Sequence, residues 1–154
     1  TTFRVLLPAD TSGEVPKEGP GSPPALPLRP TGRGTILVAD DEDAVRSTSK
    51  RLIERGGYKV LLARNGREAI DLYDSHAGEI VAVLLDLTMP VLGGDAVLEE
   101  LLARHPRPRI VLTSGFSEEE TSRRFIGKEL AGFLQKPYRA NELLSALARC
   151  IEVR

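Results

Sequence analysis

The chain of 154 residues is long enough for one domain with a sizeable core plus additional length, and too short for two full domains. Its hydrophobic fraction of 41% and charged fraction of 28% are ordinary for a globular protein, so neither wholesale disorder nor an integral membrane protein is indicated. A net charge of −1 excludes the broad positive surface on which nucleic-acid binding relies, and no apolar run approaches the roughly 20 residues of a membrane-spanning helix.

Cys150 is the single cysteine, so the chain has no internal disulfide and no Cys-rich zinc site. This usage is typical of a reducing, cytosolic compartment. The chain begins without Met and without the pattern of a signal peptide. We therefore interpret it as a piece of a longer, cytoplasmic protein.

The N-terminal part divides into two segments. Residues 1–8 alternate loosely and stop at a proline, which predicts one short strand. Residues 9–34 are rich in proline and glycine and are predicted to form a linker. The chemistry is therefore expected in residues 35–154.

The first half of this region alternates short apolar runs with segments of helical periodicity. The run at residues 35–39 predicts a strand, and the helix that follows ends at Gly56. A second strand is predicted at residues 58–63 and a short helix at residues 68–75.

The second half continues the same alternation. Its predicted elements, alternately strand and helix, occupy in chain order residues 80–85, 95–104, 109–113, 117–125, 132–134 and 143–151. Ser117 and Glu120 have the spacing of a capping box at the start of the fourth helix. Five strands alternating with five helices predict a three-layered α/β fold with a parallel sheet, because parallel neighbours need helical crossovers that cover both faces.

Functional groups of such sheets collect at the carboxyl ends of the strands. The groups found there are Asp40 and Asp41 after the first strand, Asp86 after the third, Thr113 and Ser114 at the fourth, and Lys136 after the fifth. Carboxylates brought together repel unless a cation shares the site, and Mg²⁺ takes one or two carboxylates plus a phosphate. Hydroxyl and ammonium groups suit phosphate oxygens. Together these side chains predict a phosphoryl site.

Asp86 differs from the other acids because it alone follows a long apolar run, at residues 81–85. Its carboxylate is expected to sit on a rigid buried strand as a positioned nucleophile. Asp40 and Asp41 are then the candidates for holding the metal.

Four motifs resemble those of the response-regulator receiver family. They are Ala39-Asp40-Asp41-Glu42, Leu84-Leu85-Asp86-Leu87-Thr88-Met89-Pro90 with Gly94, Thr113-Ser114-Gly115-Phe116, and Phe133-Leu134-Gln135-Lys136-Pro137. The resemblance covers residues 35–154. It implies a doubly wound, flavodoxin-like sheet and the transfer of a phosphoryl group from a phosphohistidine to Asp86.

The resemblance also implies a metal site. Mg²⁺, or Mn²⁺, would be held by Asp41, Asp86 and the backbone carbonyl of Thr88. Asp40 would act through the outer coordination shell.

The resemblance assigns further residues to the phosphoryl group. Ser114 would be the phosphate-binding hydroxyl, because it lies 22 residues before Lys136, the usual spacing in the family; Thr113 is the alternative. Phe133 corresponds to the aromatic switch position, and the peptide bond before Pro137 is expected to be cis.

Phosphorylation would add about −1.5 to −2 charges to the site. Ser114 and Lys136 would shift to meet the new charge, and Phe133 would turn into the vacated space. We expect this to alter the surface formed by the last two helices and the fifth strand.

Residues 1–8 resemble the closing strand of a histidine-kinase ATP-binding domain. The order of kinase end, linker and receiver is that of a hybrid histidine kinase. The phosphodonor would then be a phosphohistidine domain of the same chain or a histidine phosphotransfer protein. This interpretation allows a membrane-associated parent and a homodimer formed through it.

Two other functions compete with the phosphoacceptor. An aspartate-nucleophile phosphatase of the haloacid-dehalogenase type also uses Mg²⁺, but it has a second Asp two residues after the nucleophile, where this chain has Thr88. A receiver-like module that only binds a partner would need neither the acidic pair Asp40 and Asp41 nor Asp86 and Lys136. We expect a phosphoacceptor that is not an enzyme as an isolated domain, apart from loss of its own phosphoryl group.

The remaining conspicuous residues are interpreted structurally. Asp43 and Asp95 are expected to be helix-cap or turn residues, His76 and His105 to lie at the surface, and Cys150 to be a packing residue of the closing helix.

Overall fold

The computed structural model describes residues 33–125 and 130–152, so the predictions for residues 1–32 lie outside the described part of the chain. Strands and helices alternate along it: β1 Thr35–Ala39, α1 Asp43–Arg55, β2 Lys59–Ala63, α2 Gly66–His76, β3 Ile80–Asp86, α3 Gly94–Arg104, β4 Ile110–Ser114, α4 Glu118–Arg124, β5 Gly132–Gln135 and α5 Ala140–Glu152. The predicted sequence of elements is confirmed.

The five strands form one parallel sheet in the order β2-β1-β3-β4-β5. The chain reverses its direction of travel across the sheet between β1 and β3, as in other doubly wound folds. The predicted three-layered α/β class is therefore confirmed, and the carboxyl ends of β1 and β3 lie side by side at the reversal.

Strand residues alternate between two buried clusters, because successive side chains of a strand point to opposite faces. Leu37, Val83 and Leu85 belong to the cluster that includes residues of α2 and α3. Ile36 and Leu84 belong to the other, which includes residues of α1 and α5. A helical layer thus covers each face of the sheet.

The structure corrects two interpretations of helix starts. The Asn65 side chain accepts a hydrogen bond of 2.9 Å from Glu68 N, so α2 begins at Gly66 rather than at Glu68. Glu42 occupies the position before α1, and Asp43 is the first residue of the helix. The interpretation of Asp43 as a cap was therefore wrong.

The start of α4 follows its predicted chemistry. Ser117 N donates to Glu120 Oε2 at 3.0 Å, and Glu120 N donates to Ser117 Oγ at 3.3 Å. These reciprocal bonds confirm the capping box. Among the helices described, none has the length and apolar character needed to cross a membrane.

Candidate functional site

The acidic pair and the candidate nucleophile meet because β1 and β3 are neighbours in the sheet. β1 ends at Ala39, which pairs with Leu85, so Asp40 and Asp86 follow at the same level. A carboxylate oxygen from each of Asp40, Asp41 and Asp86 lies within 4.8 Å of the others. The predicted convergence of these acids therefore occurs in the structure.

The three acids differ in their exposure. Asp40 and Asp86 are each only 3% exposed, whereas Asp41 lies at the surface. Buried carboxylates are costly unless a cation or hydrogen-bond donors meet them. The site thus combines two carboxylates held by the protein with one that faces solvent.

Asp40 is oriented through several of its atoms. Its Oδ1 accepts a hydrogen bond of 2.9 Å from Glu42 N, and its Oδ2 accepts one of 2.7 Å from Lys136 Nζ. Its backbone carbonyl accepts from the guanidinium of Arg46. These contacts fix the loop that carries both members of the acidic pair.

Lys136 directly follows the fifth strand and reaches the acids from there, although it lies far from them along the chain. Its Nζ is 2.7 Å from Asp40 Oδ2 and 3.1 Å from Asp86 Oδ2. The Lys136–Pro137 peptide bond is cis, as expected from the sequence. The lysine therefore bridges the two buried carboxylates with one positive charge.

Burial and ion pairing act in opposite directions on the pKa values of this pair. Burial raises the pKa of Asp86 above its ordinary value; the Lys136 hydrogen bond and charge offset part of this rise, and the Asp40 charge adds to it. Burial lowers the pKa of Lys136, but hydrogen bonds to Asp40 and then Asp86 outweigh that effect and raise it. Desolvation thus determines the direction of the pKa shift of the Asp86 carboxyl, and ion pairing determines that of the Lys136 ammonium. A further cation beside Asp86 would favour its ionised form.

Two residues after β3 shape the surroundings of Asp86. Thr88 N donates to Asp86 Oδ1 at 3.3 Å. At Gly94, a Cβ atom would lie 2.1 Å from the backbone oxygen of Asp86 and 2.8 Å from Leu87 Cα. The glycine of the second motif is therefore required by the close approach of α3 to the end of β3.

The candidate hydroxyls lie at the end of β4, next to β3. Thr113 pairs with Asp86 in the sheet register, and Ser114 follows it. Both are buried, and Ser114 Oγ accepts a hydrogen bond of 3.1 Å from Phe116 N. Phe133, on the adjacent β5, is half-buried and packs against the cluster that includes residues of α2 and α3.

Two contributors to this edge were not predicted from the sequence. Arg46 is a buried arginine of α1 that also pairs with Asp43. Its only sequence signal is an acid three positions earlier, which usually marks an exposed pair. The Tyr138 hydroxyl lies 3.1 Å from Ser49 Oγ and links α1 to the loop after Lys136, a contact between residues far apart in sequence that no local pattern encodes.

Comparison with known proteins agrees with this geometry. A family profile described as "Response regulator receiver domain" matches residues 36–148. The protein described as "Sensor kinase CckA" from Brucella abortus is 30% identical over 156 residues, an alignment that covers 99% of this chain and 16% of that protein. The chain thus spans about a sixth of that relative's length.

Two further similarities cover nearly the full length of the matched chain. The "Chemotaxis protein CheY" of Listeria monocytogenes is 30% identical over 115 residues, which cover 74% of this chain and 95% of that protein. The crystal structure of the receiver domain from the hybrid histidine kinase CckA has 29% identity and a TM-score of 0.65, covering 77% of this chain and all of that one.

These matches leave the phosphatase and the purely binding module without support. The three acids and Lys136 all lie within the residues that the family profile matches. The chain belongs to the response regulator receiver domain family, whose members are the phosphoacceptors of two-component signalling.

Proposed function

We propose that Asp86 is the phosphoacceptor of this receiver and takes its phosphoryl group from a phosphohistidine. The observation that carries this proposal is the convergence of three carboxylates within 4.8 Å, with Lys136 Nζ 3.1 Å from Asp86 Oδ2. A carboxylate oxygen of Asp86 attacks phosphorus, the bond from phosphorus to the histidine nitrogen breaks, and the imidazole leaves. Lys136 stabilises the charge that gathers on the phosphoryl oxygens.

The donor set suits a hard divalent cation. Carboxylate and carbonyl oxygens are the ligands that Mg²⁺ prefers, and Mn²⁺ accepts the same set. We assign the ion to Asp41, Asp86 and the backbone carbonyl of Thr88. By its resemblance to the receiver family, Asp40 is assigned to the outer shell, where its two carboxylate oxygens accept hydrogen bonds from Glu42 N and Lys136 Nζ. Bound Mg²⁺ supplies charge neutralisation between the carboxylates and the phosphoryl group.

The response to phosphorylation uses residues of β4 and β5. The phosphoryl group attracts Lys136 and the Ser114 hydroxyl, and the movement of Ser114 opens space beside β4. Phe133, half-buried on the adjacent strand, turns into that space. The surface of α4, β5 and α5 is thereby changed, which is how the domain signals to its partner.

We also infer that this receiver comes from a hybrid sensor kinase and works in the cytoplasm. The similarity to the Brucella abortus sensor kinase covers 99% of the chain and so extends across the proline-rich segment before residue 35. The donor is then a phosphohistidine domain of the same protein or a histidine phosphotransfer protein. A coding sequence upstream of Thr1 without a histidine-kinase core would contradict this inference.

Mass spectrometry after incubation with acetyl phosphate and Mg²⁺ tests the phosphoacceptor. The wild-type chain should gain one phosphoryl group that is labile to hydroxylamine, and Asp86→Asn should gain none. Asp71→Asn, on the exposed surface of α2, is the matched control and should behave as wild type. An unmodified wild-type chain, or an equal gain by Asp86→Asn, would refute the assignment.

A second pair of variants distinguishes the two candidate hydroxyls. Ser114→Ala should slow phosphorylation by acetyl phosphate by about tenfold, the size expected for one hydrogen bond to a charged group. Thr113→Ala should retain a rate near that of wild type. The reverse order would assign the role to Thr113.

A further inference from the structure

The buried face of α1 carries a charged side chain near the start of the helix. Arg46 is only 5% exposed, and the other buried residues of this helix are Ser49 and Ile53. An arginine is rarely buried to this extent unless its guanidinium is paired. The partners of Arg46 therefore indicate what the residue does.

The guanidinium of Arg46 holds the loop between β1 and α1 at two points. Its Nη1 donates to the backbone carbonyl of Asp40, and its Nη2 donates to the carboxylate of Asp43. Both nitrogens belong to one planar and rigid group, so the two contacts fix the ends of the loop relative to each other. The residues between these two points are Asp41 and Glu42.

The two contacts of the guanidinium differ in strength. The Asp43 side chain is 94% exposed, so water screens its ion pair with Arg46, and screened pairs contribute little. Asp40 is only 3% exposed, and a buried carbonyl that loses its donor is costly. The contact with the Asp40 carbonyl is therefore the more important of the two.

Asp41, the exposed member of the acidic pair, depends on this loop for its position. Among the residues that the structure describes, none forms a hydrogen bond or an ion pair with the Asp41 carboxylate. The Asp40 carboxylate, by contrast, accepts hydrogen bonds from Glu42 N at 2.9 Å and Lys136 Nζ at 2.7 Å. The place of the Asp41 carboxylate is therefore set through the backbone that Arg46 anchors.

Stability alone does not account for a buried arginine at this position. A buried ionic contact generally adds no more stability than a well-packed apolar side chain of the same size. The charge of Arg46 also repels a divalent cation, so by charge alone it would weaken metal binding at the neighbouring acids. A loop already held in place has the opposite effect, because less conformational freedom is lost on binding. The two effects predict opposite results when the guanidinium is removed.

We propose that Arg46 is a positioning residue for the metal site, which holds the loop so that Asp41 is placed to bind Mg²⁺ before the ion arrives. The inference rests on the proposed assignment of Asp41 and Asp86 as metal ligands. Arg46 acts through the Asp40 carbonyl and touches neither the ion nor the phosphoryl group. Side chains that orient the ligands of a metal commonly change its affinity about 10- to 100-fold.

Titration of the ¹⁵N-labelled chain with MgCl₂, followed by the chemical shifts of its amides, measures the Kd without any phosphorylation. Arg46→Met keeps a long buried side chain but removes the guanidinium, and it should raise the Kd for Mg²⁺ about tenfold. Asp43→Asn, which removes only the exposed ion pair, should change the Kd by less than about twofold. At saturating Mg²⁺, Arg46→Met should accept from acetyl phosphate at a rate within about twofold of wild type, since the bound ion then holds the loop.

Two further variants separate positioning from loss of stability and from loss of charge. Ile53→Val, about two turns further along the same buried face of α1, should lower the melting temperature without changing the Kd. Arg46→Lys keeps the charge but lacks the planar fork, and it should raise the Kd about threefold. In metal-free solution, the Glu42 amide should exchange its hydrogen faster in Arg46→Met than in Ile53→Val, because its acceptor Asp40 has lost an anchor.

A higher Kd for Arg46→Met, with Asp43→Asn and Ile53→Val near wild type, supports the proposal. An unchanged Kd for Arg46→Met would overturn it, and so would a lower one, which would make charge repulsion the main effect of Arg46. Equal weakening in Ile53→Val, equal exchange of the Glu42 amide in the two variants, or a rate that stays low at saturating Mg²⁺ would also overturn it. If Arg46→Met does not fold, Arg46→Lys decides, and a Kd equal to that of wild type would overturn the role of the fork. A wild-type chain whose amides do not respond to MgCl₂ would instead refute the proposed metal site.

Discussion

Gly94 shows how closely α3 approaches the strand that carries Asp86. An added Cβ would meet backbone atoms at 2.1 Å and 2.8 Å, and backbone cannot move aside as a flexible side chain can. We expect Gly94→Ala to lower the free energy of unfolding by at least about 2 kcal/mol, measured by urea denaturation. Gly78→Ala is the matched control, because nothing lies within 4 Å of its added Cβ, and it should change stability by less than about 0.5 kcal/mol. Equal effects of the two substitutions would contradict the steric argument.

The charge on Asp86 opposes folding in the absence of a metal ion. Because folding raises the pKa of this carboxyl, its stabilising contribution is complete below the ordinary pKa and is lost as pH rises through the folded value. At pH 7 and without Mg²⁺, Asp86→Asn should therefore increase the free energy of unfolding by roughly 1 kcal/mol. An Asp86→Asn protein less stable than wild type at pH 7 would contradict this sign.

Mg²⁺ should reverse the order of stability. At about ten times its Kd the ion should stabilise the wild-type chain by about 1.4 kcal/mol. It should stabilise Asp86→Asn much less, since one proposed ligand has lost its charge. Urea titrations at pH 7 with MgCl₂ or with EDTA measure both changes. Equal gains in the two proteins would place the ion elsewhere.

The helices α2 and α3 are joined at their carboxyl ends by a charged contact. Asp74 Oδ2 lies 2.8 Å from Arg104 Nη1, and Asp74 Oδ1 lies 2.7 Å from His105 Nε2, while the His105 ring packs against Tyr73. The hydrogen bond from His105 is the largest cause that lowers the pKa of Asp74; burial opposes it, and the hydrogen bond from Arg104 lowers the pKa further. His105, predicted to lie at the surface, thus links the end of α3 to Asp74 and Tyr73 of α2.

The lowered pKa of Asp74 gives this contact a defined pH dependence. Its contribution to stability is complete above the ordinary pKa and is lost as pH falls through the folded value. Asp74→Asn should therefore lower the melting temperature by about 1 °C at pH 7, and by less below pH 4. Glu54→Gln, which removes the longer Lys50–Glu54 pair at 3.8 Å, is the control and should have a smaller effect at pH 7. If the difference in melting temperature between wild type and Asp74→Asn grew as the pH was lowered, the prediction would be contradicted.

Element boundaries show which signals are local. The capping box of Ser117 and Glu120 could be predicted from the sequence because both partners lie within one helical turn. The start of α2 was missed because its cap is an asparagine before a glycine, which also reads as an ordinary turn. Asp86 was placed after β3 and instead forms its last residue, since pairing with Thr113 extends the strand.

At the scale of the whole molecule, Cys150 reports whether the core is intact. It is 1% exposed on α5, and burial raises the pKa of its thiol to about 11, with the Arg109 charge opposing the rise slightly. At pH 8 the folded chain should resist iodoacetamide for hours and react within minutes in 8 M urea, as followed by mass spectrometry. Ser145→Cys, on the exposed side of the same helix, should be alkylated at once in the folded chain. Rapid alkylation of Cys150 in buffer would show that α5 opens without global unfolding.

The sequence by itself determined the order and type of the elements, because the periodicity of apolar residues depends only on near neighbours. It also determined the chemical groups at the strand ends, since a side chain that follows a buried run must emerge at the edge of the sheet. Asp86, Asp41 and Lys136 could be identified on that basis.

Only the tertiary structure decided which strands are neighbours and which distant groups touch. The order β2-β1-β3-β4-β5 brings Asp40 and Asp86 to one Lys136 ammonium and buries Arg46 beneath the acidic loop. These features arise from packing between segments far apart in the chain, and their energies depend on burial and on partners that no local pattern specifies.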